Sequence, residues 1–110
     1  MKAGSEAHFQ QQITQLAAYY GWRAYHTHDS RRSQAGFPDL TLVRDGELLF
    51  AELKAEKGRV RPEQQEWLAA LQAVQAVETY LWRPSDFDAI LARLARGRAL
   101  TRPLYAPVAA

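Results

Sequence analysis

The chain contains no cysteine, which excludes disulfides and thiolate metal sites and fits a reducing, cytoplasmic setting. No apolar run approaches the roughly 18 residues a membrane helix needs, and no charged-then-apolar leader opens the sequence. Internal repeats and low-complexity stretches are missing, and no linker divides the chain. At 110 residues, a single domain with room for one core is expected. Excess charge is scarce as well: the net charge is only +2, so the field of the whole molecule is weak. With 47% apolar and 24% charged residues, the composition is that of an ordinary soluble globular protein.

What the sequence does carry is local pattern. Leu40 to Arg44 and Glu47 to Ala51 are two apolar-rich runs separated by Asp45-Gly46. Asp-Gly between such runs favours a two-residue type I′ turn, because both central positions need positive φ. That turn pairs Arg44 with Glu47, and counting outward sets Asp39 opposite Glu52. Opposed residues share a face with Cβ atoms roughly 4.5–5.5 Å apart, where like charges repel. A fold that builds this pair needs a counter-charge, and a divalent cation is the obvious one. Strand alternation adds Lys54 to the face of Glu52. Two carboxylates and an ammonium at the end of a strand pair form a constellation suited to metal-assisted hydrolysis.

The remaining pattern supplies the frame. Ser5 caps a first helix running to about Tyr20 and ended by Gly21, with Phe9, Ile13, Leu16, Ala17 and Tyr20 inward. Trp22 to Thr27 reads as a strand and Asp29 to Phe37 as a polar loop. Pro62 suits the first turn of a second helix that buries Trp67, Leu68, Leu71 and Val74. Val77 to Trp82 is a fourth strand. Ser85 and Asp88 resemble a capping box for a third helix, lined by Phe87, Ile90, Leu91 and Leu94 and ended by Gly97. The order is αβββαβα, which gives an α/β sandwich with a mixed four-stranded sheet flanked by helices. The domain spans 1–96, and 97–110 reads as an extended C-terminal tail.

Basic residues cluster around the acidic pair. Arg31 and Arg32 precede it; Lys57, Arg59 and Arg61 follow Lys54. Arg93, Arg96, Arg98 and Arg102 crowd the C-terminal region, with no acid after Asp88. Acids ringed by basic loops suit a polyanion whose phosphate approaches a metal. His26 and His28 could share a strand face, but three histidines without further ligand spacing point to ordinary strand or loop roles. The tryptophans, with Tyr20 and Tyr80, read as core aromatics.

Gly36-Phe37-Pro38-Asp39, then Glu52-Leu53-Lys54, then Gln64 with Trp67 resembles the PD-(D/E)xK nuclease superfamily. Within it, the chain is similar to a stand-alone VRR-NUC domain over roughly Glu6 to Leu94, with a restriction-endonuclease-like sandwich. The resemblance implies Asp39 and Glu52 as ligands of Mg²⁺ or Mn²⁺, and the Leu53 carbonyl as a further oxygen. Glu6 would complete the site, although an acid in a first turn also complements the helix dipole. Gln64 would support the acids, with Gln65 pointing outward. Lys54 would either orient or deprotonate the attacking water, or stabilise transition-state charge. Arg31, Arg32, Lys57, Arg59 and Arg61 would meet DNA, with Ser33 and Gln34 near its backbone. The implied activity is structure-selective DNA cleavage, in the manner of Holliday junction resolvases that act as homodimers in DNA repair, without a small-molecule cofactor. A catalytically inactive nucleic-acid-binding module, or a subunit of a repair or replication assembly, is the alternative.

Overall fold

The computed structural model describes residues 5–28 and 33–96. Helix α1 (Glu6–Tyr19) leads into strand β1 (Arg23–His26), and the hairpin β2 (Leu40–Arg44) and β3 (Glu47–Leu53) follows. Helix α2 (Pro62–Gln72) then carries the chain to β4 (Glu78–Trp82), and a 3₁₀ turn (Pro84–Asp86) opens α3 (Phe87–Ala95). The sheet order is β1-β2-β3-β4, antiparallel in its first two pairs and parallel between β3 and β4. This is the expected mixed sheet flanked by helices. Among the described residues, no helix is long and apolar enough to cross a membrane.

Local chemistry sets the element ends. The Ser5 hydroxyl accepts from the His8 N–H at 3.1 Å, capping α1. At the other end Gly21, with φ of 87°, donates to the Ala18 carbonyl at 3.0 Å while Trp22 N–H reaches Ala17 O at 2.9 Å. These are the paired bonds of a Schellman motif. Asp45 and Gly46 have φ of 48° and 81°, as a type I′ turn requires, and Arg44 pairs with Glu47.

Alternation along the strands divides the core. Leu40, Leu42, Leu49, Ala51, Leu53 and Trp82 pack with Phe9, Ile13 and Ala17 of α1 and Ile90 and Leu94 of α3. Each fully buried leucine contributes about 1.5–3 kcal/mol of burial. On the other face Phe50 meets Phe37 at 5.6 Å between ring centroids, and Phe37 meets Trp67 of α2 at 5.0 Å. The acids expected on that face therefore lie under the start of α2.

Several expectations need correction. Helix α2 ends at Gln72, so Val74 falls beyond it and is 45% exposed, while Trp67 and Leu71 are only half-buried. Leu91 sits 37% exposed on the shoulder of α3, and Arg93 takes the inward position. The Ser85–Asp88 capping box does not form. Asp86 instead accepts from the Arg83 N–H at 2.9 Å, and Ser85 N–H goes to Glu56 Oε1 at 2.9 Å. Pro84 starts a 3₁₀ turn two residues earlier than Ser85 capping would allow, so the reaching acid is Asp86. Gly97 and the expected tail lie outside the described residues.

Arg93 is not a surface charge. Its Nε donates to Glu78 Oε1 at 2.8 Å and an Nη to Glu47 Oε1 at 2.7 Å. Arg44 is buried beside it over the Trp22 ring, 4.3 Å from the centroid, and donates to the Leu94 carbonyl at 2.8 Å. Trp22 Nε1 donates to the same carbonyl at 3.0 Å. This network ties the C-terminal turn of α3 to the hairpin end of the sheet, leaving the opposite end open. Arg98 and Arg102 lie outside the described residues.

Candidate active site

At that open end, β2 begins and β3 ends. The hairpin pairing ends at Leu40 against Ala51, so Asp39 precedes the last paired residue of β2 and Glu52 follows the last paired residue of β3. Asp39 is not itself in the ladder. Its Oδ2 accepts the Leu53 N–H at 2.7 Å, so the carboxylate closes the strand pair where a backbone bond would otherwise run. Lys54 continues past β3, its N–H bonded to Trp82 O at 3.0 Å. Its ammonium lies 3.5 Å from Glu52 Oε2 and is nearly buried. A solubility lysine would not be.

Glu52 is the most constrained of these groups, at 1% exposure. Gln64 Nε2 donates to Oε2 at 2.8 Å, while Oε1 is buried without a protein partner. An orphaned buried carboxylate oxygen is costly unless something fills its place. Burial pushes Glu52 up to about 7, Asp39's charge adds to the rise, and Lys54 opposes it. Asp39 is raised as well, first by burial; the Leu53 bond opposes this and Glu6 adds to it.

Gln64 has two bonds to satisfy. Its Oε1 accepts the Arg61 N–H at 2.9 Å, capping α2, while its amide holds Glu52. Gln65 reaches back to Val60 O at 3.1 Å and stays outside. Helix α2 sits close because Gly36, at φ of 99°, presses on its first turn: a Cβ there would lie 2.5 Å from the Glu63 carbonyl oxygen.

A family model described as the VRR-NUC domain matches residues 2–80. The chain belongs to the VRR-NUC family. No curated protein and no solved structure matches it. Membership makes this a nuclease-type domain, with DNA as the implied substrate, in a family that generally uses divalent metals.

Around the acids of this VRR-NUC domain lies a cleft of about 500 Å³. Glu6 lines it, but is exposed rather than core-facing. Among the described residues, no three His, Cys, Asp or Glu side chains converge closely enough to hold a metal. The donor set is nonetheless all oxygen. Mg²⁺ and Mn²⁺ suit oxygen ligands, and Mg²⁺ commonly takes one or two carboxylates plus water and phosphate oxygens. Asp39 and Glu52, with the orphaned Oε1, fit such an ion without a third side chain.

The basic residues divide. Arg61 lines the cleft and stands 4.0 Å from Glu63. Lys57 and Arg59 are exposed on the loop after Lys54 and are not part of the cleft wall. Arg31 and Arg32 lie outside the described residues, whereas Ser33 and Gln34 line the cleft. Sequence reasoning missed Arg83, which holds the Lys57 loop through the carbonyls of Ala55 at 2.8 Å and Gly58 at 2.9 Å. No spacing signal marks an arginine that acts on backbone from across the chain. It also set aside His26 and His28, which line the cleft with the acids.

Proposed function

We propose that this VRR-NUC domain is a Mg²⁺- or Mn²⁺-dependent, structure-selective DNA endonuclease. The observation that carries the reading is Glu52: buried, pinned through one oxygen by Gln64, and left with Oε1 unpartnered beside Asp39. Asp39 and Glu52 would hold the ion, with Leu53 offering its carbonyl and Glu6 standing at the cleft edge. When bound, the ion supplies Lewis-acid polarisation of the scissile phosphate and a water acidic enough to attack near neutral pH.

The chain's own groups prepare that chemistry. The Leu53 N–H fixes the Asp39 carboxylate, and Gln64 fixes Glu52, so neither reorganises when substrate arrives. Lys54 stands where it can orient or deprotonate the attacking water, or meet negative charge on the phosphorus oxygens. Arg61, with Lys57, Arg59, Arg31 and Arg32, would attract the DNA backbone. The nuclease function is assigned to residues 1–96. Preference for branched DNA, cutting of four-way junctions in repair, and action as a homodimer rest on the family resemblance; two-fold pairing is also the commonest assembly of small chains.

The test is incubation of the full chain with labelled four-way, flap and linear DNA, with Mg²⁺, Mn²⁺ or chelator. Paired symmetric nicks that vanish in Asp39→Ala and Lys54→Ala, while binding survives, are expected. Binding without cutting under every metal would replace the enzyme with a nucleic-acid-binding module.

A further inference from the structure

His26 closes β1 opposite Leu40, the residue that follows Asp39, so the last position of the edge strand lies beside the acid pair. Thr27 fixes that placement. Its hydroxyl donates to Pro38 O and its N–H to Asp39 O, both at 2.8 Å, stapling the strand end to the segment that carries the acid. The His26 ring lines the same cleft as Asp39, Glu52 and Lys54.

The ring is also oriented. Gln10 Nε2 lies 2.7 Å from His26 Nε2. An amide nitrogen only donates, so Nε2 accepts and the proton of the neutral ring sits on Nδ1. Gln10 follows Glu6 by four residues, so α1 presents both from one face. The His28 ring stands against His26, centroids 4.9 Å apart and tilted by 52°, and limits its swing. Neither Gln10 nor His26 is buried, so the bond adds little to stability, because water competes for both groups. An exposed imidazole held in one tautomer beside an acidic cleft is arranged for something that enters the cleft.

We propose that His26, set by Gln10, donates its Nδ1–H to a phosphate oxygen of the DNA strand in the cleft, so that His26 is a substrate-contacting residue and Gln10 a positioning one. The inference rests on the nuclease reading.

Asparagine places a side-chain N–H near the Nδ1 position of histidine, whereas phenylalanine keeps the ring and loses both nitrogens. With the full chain, Mn²⁺ and a labelled four-way junction, His26→Phe is expected to cut about tenfold to a hundredfold more slowly, the range for losing a hydrogen bond to a charged group. His26→Asn should stay within about threefold of the native rate, and melting temperatures should be unchanged, as for an exposed site. Gln10→Ala should slow the native chain but add nothing to His26→Phe, the non-additivity of groups that act as one. Native-rate cutting by His26→Phe, or equal damage from Asn and Phe, overturns the inference and leaves the nuclease reading standing. A native chain that cuts no DNA with any metal overturns both.

Discussion

The Gln64 amide donates to Glu52 at 2.8 Å while its oxygen accepts the Arg61 N–H at 2.9 Å, so one side chain both starts α2 and orients the buried acid. Helix capping and site geometry are thereby coupled: α2 cannot slide without releasing Glu52. Gln64→Ala removes a cap and takes the amide donor from a buried carboxylate, and is expected to cost about 2 kcal/mol. Gln64→Glu keeps the cap oxygen but sets a second acid against Glu52. Urea denaturation should rank both below the native chain, and DNA cutting should fall further in Gln64→Glu.

Glu52 makes metal-free stability depend on pH with an unusual sign. Its folded value is pushed up to about 7 from 4.5, by burial first and by Asp39's charge second. The folded state therefore holds this proton more tightly than the unfolded one. Its contribution is fully present below about pH 4.5 and is lost as pH rises through about 7. Urea midpoints measured in chelator should fall across that window in the native chain and stay flatter in Glu52→Gln. Added Mn²⁺ should raise the melting temperature of the native chain near pH 8 and leave Glu52→Gln unchanged.

The other end of the sheet has the opposite sign. The Arg93 hydrogen bond, against burial, holds Glu78 down to about 2, and Tyr80 adds a second bond. Burial would raise Glu47, yet bonds from Arg93 and Arg44 hold it below its ordinary range. The Glu78 contribution is present above about 4.5 and is lost as pH falls toward about 2. Arg93→Met leaves two acids facing each other and should destabilise the fold by about 2 kcal/mol, a buried-pair loss reduced by partial exposure of the acids. Acid titration followed by circular dichroism should show that variant unfolding at higher pH.

Gly36 has both a positive φ and no room for a side chain. Gly36→Ala must shift the backbone of Glu63, which carries Gln64 with it. A loss of at least about 2 kcal/mol is expected, strain and overlap together. Because the shift passes to Glu52, cutting should decline even at temperatures where the variant remains folded, as single-turnover rates would report.

How much was legible in the chain varies with the range of the interaction. The Asp45-Gly46 turn dictated the hairpin register, and strand alternation then aligned Asp39, Glu52 and Lys54 without reference to the rest of the molecule. The Ser5 cap, the Gly21 stop and the Pro62 start were readable for the same reason: each involves only a few neighbouring residues. The third helix misled because two capping acids, Asp86 and Asp88, lie within three residues, and the 3₁₀ turn at Pro84 selects between them.

Sequence alone pointed to two acids and a lysine at one end of a two-stranded ribbon, because turn stereochemistry and the two-residue repeat of a strand favour that register. Tertiary packing decided what surrounds them. Gln10 meets His26 across 16 positions and Arg93 meets Glu47 across 46, so both contacts depend on how α1 and α3 lie on the sheet. The same packing left Glu6 in the cleft and not in the core, and made Arg93 an interior clamp. Contacts of that span follow from the angle and depth at which helices seat, which arise from the summed burial of the core and leave no local spacing to read.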